Sequence, residues 1–180
     1  IKTLNSQGEP SLKDTVTVNT TDAKNLYFGN KGLANNFEIV DDIVKTMGGT
    51  ATMFAKNKDD FIRISTNVMR EGKRAIGTKL DPKGKAITEL NKKKDFYGLV
   101  DILGTPYLTG YAPVLNKDGD ILGAYYVGYK IDLNILVDYI KKTRIASSGF
   151  MIVKNQKDEP FIYPDKYKKE EIDNILKSDD

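Results

Sequence analysis

The sequence predicts an α+β fold, a central antiparallel sheet with flanking helices, and two observations carry that expectation. Segments with apolar residues at helical spacing alternate with runs at period two, and the period-two runs are joined by links of only a few residues. Links that short suit antiparallel hairpins, because a parallel sheet needs long crossovers. At 180 residues and 39% hydrophobic composition the chain can bury one sizeable core, or one full domain with the beginning of a second. It carries no internal repeat and no low-complexity segment.

The first thirty-odd residues are polar, with a short strand expected at 14–19 and another around Tyr27. Asn19-Thr20-Thr21 matches a glycosylation sequon, a pattern too short to weigh. From Asn36, Phe37, Val40, Ile43, Val44 and Met47 recur at helical spacing opposite Glu38, Asp41, Asp42 and Lys45, and Gly48-Gly49 stops the helix. In 50–56, Ala51, Met53 and Ala55 alternate with Thr52 and Phe54, as a strand buried on both faces would. A turn at 57–60 makes this strand a hairpin with the alternating stretch 61–68; the chain then turns on Gly72 and resumes at Ile76. Pro82 suits the first turn of a short helix through Ala86, Ile87 and Leu90 to the basic run 92–94.

Three strands follow at 96–103, 106–115 and 121–129. The link 116–120, Asn-Lys-Asp-Gly-Asp, has the look of a calcium loop but lacks the closing glutamate, so a hairpin turn is expected. A helix over 132–143 places Leu133, Leu136, Val137 and Ile140 on one side, and GFMIVKN with EPFIYP forms another short hairpin before a charged, helix-prone tail.

Composition removes several function classes. The net charge of +3 comes from 28 basic and 25 acidic residues mixed along the chain, without the concentrated basic face that nucleic acid needs. With no His and no Cys there is no imidazole base, thiol nucleophile or soft metal site, so neither an enzyme nor a cofactor is expected. No phosphate-cradling glycine motif occurs, and no run approaches the roughly 20 apolar residues of a membrane span. The opening IKTLNSQGEP is no signal peptide, and the abrupt ends are those expected of a fragment whose parent is open to being a membrane protein.

The candidate site begins with arginine. The chain has 24 Lys and only 4 Arg, yet Arg63, Arg70 and Arg74 fall within 61–78, and a guanidinium is the side chain whose planar fork matches a carboxylate or phosphate. Period two puts Ile62, Ile64, Thr66 and Val68 on a core face and Phe61, Arg63, Ser65 and Asn67 on the other. Tyr97, Leu99 and Asp101 share a face, as do Tyr107, Thr109 and Tyr111. If these faces converge they enclose a small pocket of phenols and hydroxyls with arginine at its base. An inward Arg63 requires an anion, either a protein carboxylate such as Asp101 or a ligand's. Arg74 has the same two readings and a third as a surface residue of the turn, where Arg70 also falls. Ser65 and Thr66 have no histidine to activate them, Asp41 and Asp42 are expected to meet water, and Tyr125 and Tyr126 have no interleaved basic residues to make a nucleic-acid stacking surface.

The runs VDDIVKTMGGTATMF, FIRISTNV, GKRAIGT, DFYGLVDILGTPYLTGYAPV and KDGDILGAYYVGY, in unbroken order over about 26–129, resemble the Cache 3/Cache 2 fusion type of single Cache domain. That family is the extracytoplasmic sensor module of bacterial methyl-accepting chemotaxis proteins and related transmembrane receptors. The resemblance implies a PAS-like sheet with a long leading helix and a ligand cavity on the sheet face that small organic acids often occupy. By position it implies binding residues Arg63, Thr66 and Asn67, then Arg74, Gly77 and Thr78, then Tyr97, Asp101, Tyr107, Thr109 and Tyr111, beside the Ser65 of the face reading. Three departures stand out: no long leading helix is evident in the first thirty residues, the turn 67–74 is a residue shorter than the family pattern, and Tyr163 precedes Pro164 where histidine is expected.

The expected organisation is a sensor domain over 1–143, with 144–180 as a strand hairpin and helix that either opens a second Cache-like lobe or completes the first. The expected function is non-enzymatic: a receptor's sensor domain takes a small-molecule ligand, a short-chain carboxylate being favoured, and signals through flanking helices. A homodimer in the parent receptor and attachment to the membrane through flanking segments are expected, with no nucleic-acid partner. The rival reading is a structural or dimerisation module whose cavity is filled by its own side chains.

Overall fold

The computed structural model describes residues 6–146, 148–154 and 159–178. The chain divides into two compact units, 1–131 and 132–180.

The first unit opens with a meander of β1 (Pro10–Val18), β2 (Thr21–Phe28) and β3 (Lys31–Gly32). These strands are longer than period-two reading of the polar start suggests, because Val18, Ala23, Asn25, Leu26 and Phe28 are buried, with Leu12 and Val16 half-buried against the same core. They occupy the part of the chain where a leading helix is expected. Helix α1 (Glu38–Met47) follows, ending at Gly48 and Gly49, both with φ near 70–78°. A Cβ on Gly49 would stand 2.6 Å from the Gly128 carbonyl, so the close approach of this turn to the sheet requires glycine.

The main sheet comprises β4 (Thr50–Asn57), β5 (Asp60–Thr66), β8 (Phe96–Ile102), β9 (Thr105–Leu115) and β10 (Ile121–Lys130), every neighbouring pair antiparallel, in the order β5-β4-β10-β9-β8. Between β5 and β8 lie the small hairpin of β6 (Met69–Arg70) and β7 (Lys73–Arg74) and the short helix α2 (Lys85–Asn91). Pro82 lies in the turn before α2, where Asp81 accepts from the Lys83 and Gly84 amides, rather than inside its first turn. Residues 116–120 form a hairpin link in which Asn116 and Asp120 bond to each other through side chain and backbone.

Ala51 to Ala55 are all buried, which fits the double-sided burial expected of this strand. One core packs α1 and the meander against Ala51, Met53 and Ala55; the other gathers Phe54, Phe61, Ile87, Leu90, Tyr111 and Tyr126 on the opposite face.

The second unit contains α3 (Leu133–Lys142), β11 (Arg144–Ile145), β12 (Gly149–Phe150), β13 (Val153–Lys154), β14 (Pro160–Ile162) and α4 (Lys169–Ser178). Asp132 caps α3 by accepting from the Asn134 and Ile135 amides. Ile140, Ile162 and Ile172 are buried within this unit. The expected hairpin is present as β13 paired with β14, while Gly149–Phe150 pairs instead with β11; the link 155–158 and the side chains of Leu133 and Leu136 lie outside the described residues. Among the described residues no helix is long and apolar enough to cross a membrane.

Candidate functional site

A bulge decides which side chains face the site. β4 and β5 pair in step from Asn57 opposite Asp60 to Phe54 opposite Arg63, and then Met53 pairs with Ser65, so Ile64 is an extra residue in β5. One inserted residue sends every following side chain to the other face. Arg63 therefore shares its face with Phe54 and Thr66 with Thr52, while Ser65 turns to the α1 side. The expected row of Arg63, Ser65 and Asn67 is not formed. Ser65 Oγ donates to the Asn36 carbonyl at 2.5 Å; Asn67 accepts from the Ala51 amide and donates to the Val40 carbonyl, both at 2.8 Å, tying α1 to β4. Thr66, fully buried, spends its hydroxyl on Thr52 Oγ1 at 2.6 Å and on backbone.

The two tyrosine-bearing faces do not converge either. Tyr111 lies opposite Phe96 and Tyr126, on the face of Arg63, and Thr109 and Tyr107 follow it at period two. Tyr97 lies opposite Gly110 and Leu99 opposite Leu108, on the reverse face, where Tyr97 is 76% exposed with its hydroxyl on Asp95. Thr109 is buried and donates to the Gly98 carbonyl.

Arg74 has a protein partner. Its Nη1 and Nη2 hold the two carboxylate oxygens of Asp41 at 2.7 and 2.9 Å, Nη1 also donates to the Thr66 carbonyl, and the guanidinium lies 4.3 Å from the Phe37 ring centroid. The bidentate bond to Arg74 holds the Asp41 carboxyl below its ordinary pKa. Arg74 is thus a clamp between β7 and α1 rather than a ligand anchor, and Asp41, expected to meet water, is its counterion.

Arg63 is different. It is only 5% exposed and lies over the Phe54 ring at 5.1 Å. Residues 77–80 run beside β5, with the Arg63 amide donating to the Thr78 carbonyl and the Gly77 amide to the Arg63 carbonyl, which brings the Thr78 hydroxyl to Nη1. Nε is buried without a hydrogen-bond partner, and Nη2 has none among the described residues. No carboxylate among the described residues forms an ion pair with it; Asp101, the expected protein partner, accepts from the Gly104 amide instead. Burial lowers the Arg63 pKa, opposed by the phenols of Tyr111 and Tyr126. Burial likewise raises both phenols, Tyr126 to about 12, so each is a neutral hydroxyl at physiological pH. Tyr126 Oη and Thr50 Oγ1 are 2.8 Å apart.

Beside this guanidinium lies a cavity of about 270 Å³ lined by Arg63, Thr78, Leu80, Val100, Ile102, Leu103 and Tyr111 together with the charged residues Arg70, Lys79, Asp81 and Asp101, none of whose carboxylates forms an ion pair with Arg63 among the described residues. Tyr111 is the aromatic ring in that lining, and it packs against Phe54, Phe96 and Tyr126 with ring centroids 4.9 to 6.4 Å apart. Phe54, beneath the Arg63 guanidinium, and Tyr126, against the Tyr111 ring, are supporting residues that sequence reasoning missed. Their signal was period two: each lies directly across a strand pair from a residue already singled out, Tyr126 from Tyr111 and Phe54 from Arg63.

A five-stranded antiparallel sheet with helices packed on it makes this an α+β fold of the PAS-like kind. The chain belongs to the Cache 3/Cache 2 fusion domain family, whose model matches residues 2–180. Among solved structures it is similar to the ligand-binding domain of the Campylobacter jejuni chemoreceptor Tlp3 in complex with L-valine, with 16% identity and a TM-score of 0.44. That match covers 72% of this chain and 51% of the other, so the aligned part is about half of that domain's length. No curated protein matches.

Proposed function

We propose that this chain is the extracytoplasmic ligand-binding sensor domain of a bacterial transmembrane signalling receptor, a chemoreceptor by first preference, and that it binds a small organic acid through Arg63. The observation that carries this reading is the buried, unpartnered Nε of Arg63 beside a cavity. A buried guanidinium without a counterion costs several kcal/mol. A ligand carboxylate relieves that cost, each charge-assisted hydrogen bond contributing about 1.5–3 kcal/mol. The volume of about 270 Å³ suits a molecule of a few heavy atoms, and the Tyr111 ring suits a short apolar tail.

Signalling requires that the ligand favour one of two conformations. The bound acid acts on the 77–80 segment through Thr78, and the receptor's flanking helices carry the change onward in a homodimeric parent anchored in the membrane. Residues 132–180, α3 included, make up the second, smaller unit. The domain does no chemistry on its ligand.

A thermal-shift screen against acetate, propionate, pyruvate, lactate, dicarboxylates and amino acids tests the reading, with Arg63→Met as control. A short carboxylate is expected to raise the melting temperature of the wild type and not of the variant. If no acid does so, or if the variant responds equally, a structural or dimerisation module is the better description.

A further inference from the structure

The second unit holds a pocket of about 380 Å³ whose walls carry four cations, Lys141, Lys142, Arg144 and Lys166, and a single carboxylate, Asp165. Its net charge equals the +3 of the whole 180-residue chain, in which basic and acidic residues are otherwise mixed. The local structure explains the gathering. α3 presents Lys141 and Lys142 in its last turn, where the helix dipole favours cations. β11 pairs with β12 so that Arg144 lies opposite Phe150, which puts both side chains on one face. Lys166 is brought in by its neighbours: Asp165 pairs with Lys141 at 2.5 Å, and the ring of Tyr167 packs on that of Phe150 with centroids 4.6 Å apart.

These cations are not equally free. Lys141 is spent on Asp165, and Lys142 on Asp138 at 2.9 Å. Among the described residues neither Arg144 nor Lys166 has a carboxylate partner. Lys166 Nζ lies 4.5 Å from the Tyr167 ring centroid and 6.0 Å from that of Phe150, contacts that neutralise no charge. Two unmatched positive charges thus line one pocket, and a concavity lined by one sign of charge concentrates counter-ions. We propose that this pocket binds a phosphate monoester, with the planar fork of Arg144 and the ammonium of Lys166 on its oxygens. Charge decides for phosphate over carboxylate: a phosphate monoester carries about −1.5 to −2 charges near neutral pH and three acceptor oxygens, which match two free cations, whereas a carboxylate carries a single charge. Two free cations also answer one phosphate, not the run of phosphates along a nucleic acid. The exposed Ser148 in the same lining adds a hydroxyl donor.

The phosphate belongs either to a soluble ester or to a lipid headgroup, and two arms on the whole 180-residue chain separate these sources: calorimetric titration with glycerol 3-phosphate, and co-sedimentation with phosphatidylcholine vesicles with and without phosphatidic acid. Binding in at least one arm is expected, and Arg144→Gln combined with Lys166→Gln is expected to weaken it by about tenfold or more. Both side chains are exposed, so this variant is expected to unfold as cooperatively as the wild type. Arg144→Lys, which keeps the charge and gives up the fork, is expected to weaken binding by a smaller factor. Lys24→Gln combined with Lys58→Gln removes the same charge from exposed positions in the first unit, and Arg63→Met removes the buried arginine of the other cavity; neither is expected to change the affinity. The proposal is overturned by an absence of binding in both arms, by affinity that survives in the Arg144 and Lys166 double variant, or by an equal loss in either control.

Discussion

Arg63 donates through Nη1 to the hydroxyl of Thr78, the side-chain hydrogen bond its guanidinium makes among the described residues. Nε is buried without a partner, so one donor is left unmet. An unmet buried donor destabilises the fold in the absence of ligand. Arg63→Met, close in volume and apolar, is therefore expected to keep or raise stability by about 1–4 kcal/mol while abolishing acid binding. Urea unfolding alongside ligand titration measures both. A variant that is markedly less stable and still binds acids would contradict the role given to Arg63.

Thr78 fixes the guanidinium by accepting from it while donating to the Ala75 carbonyl at 2.8 Å. Thr78→Val keeps the shape and removes both bonds, leaving a buried donor unmet. A loss of about 1–3 kcal/mol is expected, together with weaker acid binding, and Thr78→Ser should restore most of each. A serine variant that loses stability and binding while the valine variant keeps both would show that the methyl group, not the hydroxyl, matters.

The bulge at Ile64 separates what was legible from what was not. Element order was readable because helix period, strand period and the glycine stops at Gly48 and Gly72 are local signals. The bulge was not, since Ile64 is apolar and falls where simple alternation also wants an apolar residue; only the pairing with β4 reveals the slip. The same is true of Arg74 and Asp41, which lie 33 residues apart and meet only through the packing of α1 beside β7. The burial of Val18, Ala23, Asn25, Leu26 and Phe28 in β1 and β2 was hidden in a polar stretch for the same reason. Facing directions, unlike periods, are tertiary facts.

Because the bulge turns Ser65 and Asn67 away from Arg63, substitutions there should separate stability from binding. Asn67→Ala removes the two bonds joining α1 to β4 and is expected to cost about 1–3 kcal/mol. Ser65→Ala is expected to cost less. Neither should change acid affinity at temperatures where the protein is folded, as read by calorimetric titration. A large fall in affinity in Ser65→Ala would place that hydroxyl back at the ligand.

The Arg74–Asp41 clamp makes a pH-dependent contribution whose sign is set by the lowered carboxyl. Asp41 ionises more readily in the folded chain than its ordinary value of 3.8, because Arg74 bonds its charged form. The contribution is therefore complete above that value and is lost as pH falls through the depressed folded value. Both side chains are about a third exposed, so solvent screening holds the pair to about 1 kcal/mol. Denaturant melts of the wild type and Asp41→Asn should differ by that amount at neutral pH and draw together from roughly pH 5 down to pH 2. Arg74→Lys, which gives up the planar fork, should recover only part of the neutral-pH difference. A gap between wild type and Asp41→Asn that persists unchanged in acid would mean that Asp41 stabilises α1 by some means other than its charge.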